Sequence, residues 1–236
     1  MDFLAQSQQL CDLLGLTSPP VSVTFRADAP PDVRRIEAAA PSGCSYWKLA
    51  AEGQVFYTEA SDHYGCPIGS YTHGVSLPAA QSKELEGMIE TMVGLNYLKP
   101  EEVPAIPRRE EPFGVVIYAP LANTPLPPDV ILVRGNAKQM MLLNEAINAS
   151  AAEGETPGGV GGIMGRPTCA VIPAVLKTQQ AALSLGGIGN RVYNELSDGE
   201  LFTAIAGAEL ATIVEKLSAI TRANSQLEEF HSAKTA

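Results

Sequence analysis

The sequence predicts one compact α/β or α+β domain, in which helices flank a mixed sheet. Short apolar runs typical of buried strands alternate with segments of helical periodicity. Hydrophobic residues make up 45% of the 236 residues and charged residues 18%, a balance typical of a packed core. Proline-rich connections argue against a simple array of parallel βαβ units. We expect the domain to cover residues 1–222, with a proline-rich arm near 99–112 and a polar tail at 223–236.

The first half of the chain carries clear helix and strand signals. In order, we expect a helix at 2–15, a strand at 21–25, a surface excursion at 27–41, a short helix at 46–52, a strand at 54–58, a loop at 61–77 and a helix at 79–95. Gly15 suits the residue that ends a helix. The helix at 79–95 is amphipathic, and its apolar stripe contains Leu85, Met88, Ile89, Met92 and Val93.

The second half continues the alternation of elements. In order, we expect strands at 113–118 and 130–133, a helix at 136–150, a glycine-rich loop at 154–165, a short helix, a strand at 181–185, a turn at 186–190, a strand at 201–206 and a closing helix at 208–220. Asn136 is a candidate N-cap. Pro167 suits the first position of the short helix.

Charge and hydropathy exclude several classes of protein. The net charge of −10 argues against a sequence-independent grip on nucleic acid and against an anionic membrane surface. The longest near-apolar stretch, 113–122, has about half of the ~20 residues that a membrane span requires. Asp2 and the absence of a basic start argue against a secretory signal. We therefore expect a cytoplasmic protein with reduced cysteines.

Three of the four cysteines lie at turns or first helical turns, namely Cys44, Cys66 and Cys169. Backbone N–H groups point outward there, and the helix field favours a thiolate. Cys11 instead lies within an apolar helical pattern, where it is expected to be a core residue. The spacing of the three cysteines contains no CxxC motif, so buried free thiols remain the alternative interpretation.

These three thiolates are candidate ligands of an iron–sulfur cluster, with [4Fe-4S] as the expected type. His63 is a candidate fourth ligand, and a small molecule is the alternative at that position. Zinc, or no metal at all, are the alternative cofactors. Lys48, Arg166 and Arg191 lie close in sequence to cysteine or glycine segments, where their charge suits a cluster or an anionic substrate. His63 and Arg191 are accordingly the candidate catalytic residues.

Two other functions account for the same residues. In a metal-free thiol enzyme, Cys66 is the nucleophile and His63 the base. In a binding module, glycine loops and aromatic residues line a pocket for a small organic ligand. His73 and Tyr46 are possible lining residues, although a loop histidine and a core tyrosine are the simpler interpretations. The glycine run at 158–165 lacks the ending of a P-loop and suits a lid equally well.

The order of several segments resembles the uncharacterised family named domain of unknown function 169. These are GCSYWKLAAEGQVFYTEASDHYGCPIGSY, FGVVIYAPL, PDVILVRGNAKQMMLL, GRPTCAVIPAVL, SLGGIGNRVYNELSDGELFTAI and GAELATIVEKL, between about residues 10 and 220. The resemblance implies that Cys44, Cys66, Cys169 and Arg191 match recurring family residues. It also shows a departure, because many relatives carry a cysteine where this chain has Gly187.

The expected function is therefore that of a cytoplasmic iron–sulfur protein with a cluster held by three cysteines. Its role is electron transfer or the activation of a small substrate, as in a redox enzyme or a lyase. The expected partners are a small-molecule substrate or a redox protein, with no nucleic acid and no membrane. A homo-oligomer is possible, in which the arm at 99–112 packs on a second subunit.

Overall fold

The computed structural model of the chain describes residues 2–151, 163–164 and 167–235. Its helices are α1 Phe3–Leu14, α2 Gly43–Ala51, α3 Pro67–His73, α4 Ala79–Gly94, α5 Ala137–Ala151, α6 Val171–Thr178, α7 Ile188–Tyr193 and α8 Leu210–Ser232. Its strands are β1 Val21–Arg26, β2 Arg34–Arg35, β3 Phe56–Glu59, β4 Val115–Pro120, β5 Val130–Asn136, β6 Ile163–Met164, β7 Ala182–Ser184 and β8 Glu200–Ala206. Short 3-10 turns at Ala60–His63 and Thr168–Ala170 bear on the site described below.

The eight strands form one mixed sheet in the order β2-β3-β4-β1-β5-β8-β7-β6. Pairing is antiparallel from β3 through to β7, and it is parallel at the two ends, β2 with β3 and β6 with β7. β1 lies between β4 and β5, with Val23 opposite Tyr118 and Val130. The predicted fold class, a mixed sheet with flanking helices, is confirmed.

The sheet buries both faces, and the two faces differ in composition. On the first, which we call the aliphatic face, α1, α5 and α8 cover side chains such as Ile131, Val133 and Ile205. On the second, which we call the thiol face, α2 and α6 cover the alternate residues of the same strands, with Val23, Tyr118 and Phe202 among them. Side chains alternate between the two faces along a strand, and helices cover both faces. Residues 21–25 of β1 are therefore all buried.

Several predicted helix boundaries are confirmed by local chemistry. Gly15 follows α1 in the left-handed conformation, with φ of 66°. The Asn136 side chain accepts a hydrogen bond from the Gln139 backbone N–H at 3.0 Å, as an N-cap does. The Gln139 side chain in turn accepts one from the Asn136 backbone N–H at 2.7 Å. This reciprocal pair fixes the start of α5 directly after β5.

Other predictions of local structure are wrong. The segment 61–77 is not simply a loop, because it contains part of a 3-10 turn and all of α3. The turn predicted at 186–190 includes the first residues of α7. The closing helix continues through Ser232, so most of the polar tail is helical. These helical segments are short or lack an apolar stripe. The prediction of a helix from sequence depends on such a stripe, so they were missed.

Two exposed elements complete the fold. α4 is a helix as predicted, but its apolar stripe is only half-buried, and no residue of this helix is fully buried. The proline-rich arm contains a 3-10 turn at Pro100–Ala105. Arg109, farther along the arm, stacks on the ring of Phe25 with 4.8 Å between its Cζ and the ring centroid. That contact ties the arm to the thiol face.

The described helices include none that is long and apolar enough to cross a bilayer. Most of the predicted glycine-rich loop, together with Arg166, lies outside the described residues. Its two described residues, Ile163 and Met164, form the edge strand β6.

A candidate site lined by three thiols

The three cysteines are placed by the starts of helical segments on the thiol face. Cys44 lies in the first turn of α2, directly after the N-cap region at Ser42. Cys66 precedes α3, whose first residue, Pro67, lacks an N–H to donate. Cys169 lies in the 3-10 turn that leads into α6. Each cysteine therefore lies where the chain enters a helical turn.

Folding brings these three thiols together. The Ser42 hydroxyl lies 3.1 Å from Cys44 Sγ and 3.7 Å from Cys66 Sγ, so it bridges the first two. The pKa of Cys169 is raised to about 12, chiefly by burial and in smaller part by the neighbouring Cys66 and Cys44. Cys44 and Cys66, 22 residues apart in the chain, thus share one hydroxyl, and Cys169, 103 residues beyond Cys66, is close enough to interact electrostatically with both.

Two of the three thiols, Cys44 and Cys169, are held in the protonated form in the free protein. Burial raises the pKa of Cys44, against the opposing hydrogen bond of the Ser42 hydroxyl. The larger effect at Cys169 has the same cause. We expected the helix starts to lower these pKa values, and that expectation is wrong for both residues. Desolvation outweighs the helix field because the Cys44 residue is buried and Cys169 is half-buried.

Tyr118 lies among the three thiols and was missed by the sequence analysis. Burial raises its pKa well above 10, and Tyr46, Cys169, Cys66 and Cys44 each add to that effect. Its hydroxyl is buried and has no hydrogen-bond partner within the described residues. The sequence did contain a signal, since Tyr118 occupies an inward-facing position in an otherwise aliphatic strand. A buried phenol normally finds a partner.

Two buried histidines stack beside this cluster. The rings of His63 and His73 lie 5.3 Å apart, and the Tyr46 ring meets His63 edge-on at 5.3 Å. Burial lowers the pKa of His63 to about 3, with His73 contributing. Burial likewise lowers the pKa of His73 to about 4, with Arg109 contributing. Both imidazoles are therefore neutral near pH 7, and neither is the solvated loop residue expected of His73.

The hydrogen bonds of each histidine assign its proton. Thr58 donates its hydroxyl to the Val116 carbonyl, so its oxygen accepts from His63 Nε2–H at 2.8 Å. His73 Nδ1–H donates to the Gly69 carbonyl at 2.9 Å. His63 Nδ1 and His73 Nε2 are then unprotonated, and both are buried without a partner among the described residues. Each ring thus keeps a lone pair available to a ligand, the arrangement typical of metal-binding histidines.

Small residues allow the close packing of the cluster. A Cβ atom added at Gly69 would lie 2.9 Å from Cys66 Sγ and 3.9 Å from the Gly43 Cα. That approach is shorter than real Cβ contacts, so a side chain at position 69 would displace the thiol. Gly187, at the start of α7, differs, because its added Cβ would meet only the Thr168 hydroxyl at an ordinary 3.5 Å. Position 187 is therefore open to a side chain.

Two of the candidate cations, Arg191 and Lys48, form their hydrogen bonds and ion pairs with groups other than the cysteines. Arg191 donates to the backbone carbonyls of Ser197 at 2.6 Å and Leu185 at 2.8 Å, which supports the turns around α7. Lys48 pairs with Glu195 at 2.6 Å. These contacts give Arg191 a structural role in the turns. Its predicted catalytic role stays a prediction.

The described residues contain no group of three or more His, Cys, Asp or Glu side chains arranged to hold one metal ion. This finding gives no support to a mononuclear zinc site. A polynuclear cluster places a different demand on the protein, because each thiolate binds a separate iron and the sulfur atoms stand farther apart. The predicted cluster therefore stays a prediction.

Comparison with known proteins shows which family the chain matches. The family profile DUF169, described as "Uncharacterised ArCR, COG2043", matches residues 9–216. A search of curated proteins and a search of solved structures found no match. The profile covers α2, α3, α6 and α7, and so it includes every residue of the thiol cluster. The chain belongs to the uncharacterised DUF169 family, as its cysteine and glycine segments predicted.

Proposed function

We propose that this protein holds an iron–sulfur cluster through Cys44, Cys66 and Cys169, and uses it in electron transfer or in activating a small substrate. One observation carries the proposal: Cys44 and Cys66 share the Ser42 hydroxyl, and both interact electrostatically with Cys169 and with the buried, unpartnered phenol of Tyr118. Free cysteines packed only as small hydrophobes have no reason to gather around an unsatisfied hydroxyl. A ligand held by these thiols would supply an acceptor to the phenol.

The raised thiol pKa values are consistent with a metal-loaded state. Burial holds Cys44 and Cys169 protonated in the free protein. Iron binding replaces those protons, so uptake releases protons and strengthens as pH rises. When bound, the cluster supplies one-electron redox chemistry or a Lewis-acidic iron. The apolar surroundings exclude water, which protects a labile cluster and strengthens every hydrogen bond to it.

The chain's own polar groups have defined parts around such a cluster. The Tyr118 hydroxyl and the Ser42 hydroxyl are donors close to the thiols, and donors near sulfur raise a reduction potential. His63 presents its unpartnered Nδ1 and remains the candidate for the fourth ligand. Gly187 leaves its own position without a thiol, as an open site for a small substrate requires.

The metal-free alternative has less support in the geometry. A Cys66–His63 nucleophile pair requires the imidazole to contact the thiol. The contacts recorded for the His63 ring are instead with Thr58, His73 and Tyr46. Only a backbone bond joins the two residues, from the Cys66 N–H to the His63 carbonyl at 2.9 Å. We therefore favour the cluster, in a cytoplasmic protein whose thiols stay reduced until iron binds.

The test is purification without oxygen, followed by analysis of iron and acid-labile sulfide. We expect absorbance near about 400 nm that is lost on oxidation, and about four irons per chain. Cys44→Ser, Cys66→Ser and Cys169→Ser should each lose most of the iron. Cys11→Ser is the matched control, because Cys11 lies on α1 at the aliphatic face and should not affect iron content.

Two results would overturn the proposal. One is a folded protein that takes up neither iron nor sulfide during anaerobic reconstitution. The other is iron content that falls equally in Cys11→Ser and in the three site variants, since this would mean non-specific binding to thiols.

A further inference from the structure

Helix α7 and the turn before it carry a group of exposed apolar side chains. Ile188 and Val192, one helical turn apart, are 79% and 66% exposed. Leu185 in the preceding turn and Tyr193 at the end of the helix are also large hydrophobic residues that solvent reaches. We call these four residues the α7 patch. Single exposed hydrophobic residues need no explanation, but a group of them is typical of an interaction surface.

The helix buries its polar side and exposes its apolar side. Asn190 and Asn194 lie one turn apart and are both buried, whereas Ile188 and Val192 face solvent. This reverses the arrangement of an ordinary surface helix, which turns its apolar stripe toward the core. Packing within the chain therefore does not account for the apolar residues of the α7 patch.

Hydrogen bonds hold the α7 patch in a fixed conformation. Arg191 donates to the Leu185 carbonyl before the helix at 2.8 Å and to the Ser197 carbonyl after it at 2.6 Å. One guanidinium thus ties together the turns on both sides of α7. A surface that is ordered before a partner arrives loses little conformational entropy on binding.

The inner side of α7 adjoins segments that carry two of the thiols. The Gly187 N–H, at the start of the helix, donates to the Thr168 hydroxyl at 2.7 Å, and Thr168 directly precedes Cys169. α7 also packs against α2, which carries Cys44. An α-helix with its side chains is about 10 Å across. A molecule that contacts the α7 patch is therefore separated from these segments by a single short helix.

The size of the α7 patch indicates what kind of partner it fits. A stable protein–protein interface buries about 20–30 residues a side, and weak electron-transfer encounters have the smallest interfaces. Four side chains are too few to hold a second copy of this chain in a permanent dimer. They suit a partner that binds briefly and leaves.

The charge around the α7 patch indicates the charge of that partner. Within the described part of the chain, the acidic side chains nearby are the more exposed ones, since Glu195 is 70% exposed and Asp198 is fully exposed. Their cationic neighbours Lys48 and Arg191 are 31% and 24% exposed. A partner therefore meets an acidic border, on a chain of net charge −10. That border attracts a basic protein and repels an anionic membrane.

We propose that the α7 patch is the docking surface of a small redox protein whose apolar contact area is bordered by lysine and arginine. The inference rests on the proposed function, because the partner exchanges electrons with the iron–sulfur cluster. One electron passes from the reduced cluster to the oxidised partner, and no covalent bond forms or breaks. The acidic border steers the partner, and the apolar side chains hold it where the path to the cluster is short.

The first test measures docking without iron. Oxidised cytochrome c, a small basic redox protein, is titrated into the chelator-treated full chain and followed by nuclear magnetic resonance. We expect binding that weakens as salt is added, because charge drives the encounter. The double variant Ile188→Ser with Val192→Ser should weaken binding at least about tenfold. Both residues are exposed, so the fold is not at risk.

The matched control removes equally exposed apolar surface elsewhere. Leu227 and Phe230 of α8 are 54% and 55% exposed, on the helix that covers the aliphatic face. Leu227→Ser with Phe230→Ser should bind cytochrome c as the wild type does.

The second test measures electron transfer from the reconstituted, reduced protein by stopped flow. The α7 double variant should reduce cytochrome c about tenfold more slowly at low protein concentration. It should reduce hexaammineruthenium(III), a small complex that requires no docking surface, at the wild-type rate. Because the first test needs no iron, failure of docking is distinguished from failure of the cluster proposal.

Three results would overturn the docking proposal. The first is an absence of salt-dependent binding of cytochrome c to the folded protein. The second is equal weakening of binding in the two double variants, which would mean non-specific adhesion. The third is a wild-type dimer that Ile188→Ser with Val192→Ser dissociates, which would assign the α7 patch to a second copy of the chain.

Discussion

The two faces of the sheet are built from the same strands but differ in the kinds of side chain that they bury. The aliphatic face is covered by the three long helices α1, α5 and α8, and its buried cluster is almost wholly leucine, isoleucine and valine. The thiol face is covered by shorter helices and contains aromatic rings, cysteines and histidines. Most buried polar atoms without a partner belong to this second face, such as those of Trp47, His63 and Tyr118.

This difference separates stability from function. An aliphatic cluster gains free energy from every buried methylene and leaves no polar atom unmatched. The thiol face gives up part of that gain, because buried donors and lone pairs without partners cost free energy. Natural sequences keep such groups where a ligand uses them. We therefore expect the aliphatic face to respond to mutation through stability, and the thiol face through pH and ligand binding.

The largest effect should be an acid sensitivity that comes from the thiol face. His63 and His73 have pKa values of about 3 and about 4 in the folded protein, below the ordinary 6.5. The unfolded chain binds their protons first, so stability is complete above about pH 6.5 and falls as pH drops toward these lower values. Each histidine should cost about 2 kcal/mol of unfolding free energy by about pH 5.

Urea unfolding of the chelator-treated protein across this pH range measures the effect. His73→Gln should remove about half of the pH dependence. The exposed His231 near the end of α8 provides the control, and His231→Gln should leave the pH dependence unchanged. Equal slopes for all three proteins would mean that the two histidines are not buried as neutral groups.

A core truncation on the aliphatic face should cost nearly as much, at every pH. Leu143 of α5 is fully buried, and Leu143→Ala should lower the unfolding free energy by about 3 kcal/mol. Cys44→Ala on the thiol face removes less apolar volume and should cost about 1 kcal/mol. Leu4→Ala, at a position 62% exposed, is the control and should change little. A Cys44 variant as damaging as Leu143→Ala would refute the division between the faces.

Two tyrosines of the thiol face should respond in opposite directions. The Tyr46 hydroxyl donates to the Asp62 carbonyl at 2.5 Å and accepts from the Ala40 N–H at 3.0 Å. Tyr46→Phe leaves these partners unmatched and should cost about 1 kcal/mol or more. Tyr118→Phe removes a hydroxyl that has no partner and should stabilise the apoprotein by up to about 1 kcal/mol.

Chemical denaturation of the two phenylalanine variants in parallel tests this pair, since each removes one oxygen from a stacked ring. The rings lie 5.5 Å apart, so packing is nearly the same in both. Destabilisation of similar size in both variants would mean that the Tyr118 hydroxyl already has a partner, such as buried water. In reconstituted protein, Tyr118→Phe should also shift the reduction potential of the cluster.

The sequence predicts the aliphatic face better than the thiol face, and the reason is physical. Leu10 and Leu14, or Met140 and Leu143, repeat with the helical period, and that repeat depends only on burial. Gly15 and Asn136 mark helix ends through their own backbone chemistry. Helix α3 lacks such a repeat, since its seven residues include a glycine and the polar residues Ser70, Thr72 and His73. Its helical form follows from packing between α2 and α4.

The sequence singles out the cysteines as candidates, but it does not reveal what surrounds them. Glycine and proline beside Cys66 mark a turn that any reader of the sequence can find. The neighbourhood of Tyr118 depends on strand order, because β4 lies beside β1 only in the folded sheet. The direction of the thiol pKa shift also depends on burial, which local sequence does not reveal. Long-range arrangement therefore decides what short motifs can do.

The smallest change in stability should come from the substitution that most directly tests the open site. Gly187 has φ of −79° and room for a Cβ atom, so Gly187→Cys should change unfolding free energy by less than about 0.5 kcal/mol. Its N–H bonds the Thr168 hydroxyl at 2.7 Å, next to Cys169, and Asn190 lies one turn away against Cys44.

A thiol at position 187 should therefore enter the same cluster of sulfur atoms. In reconstituted protein we expect the iron content to stay the same, while the electron paramagnetic resonance spectrum loses its response to an added small ligand such as cyanide. Gly199→Cys, at an open position in the turn before β8, is the matched control and should leave that response intact. A spectrum that responds to cyanide equally in all three proteins would mean that no iron faces α7. The fourth position would then belong to another residue, with the free lone pair of His63 as the first to examine.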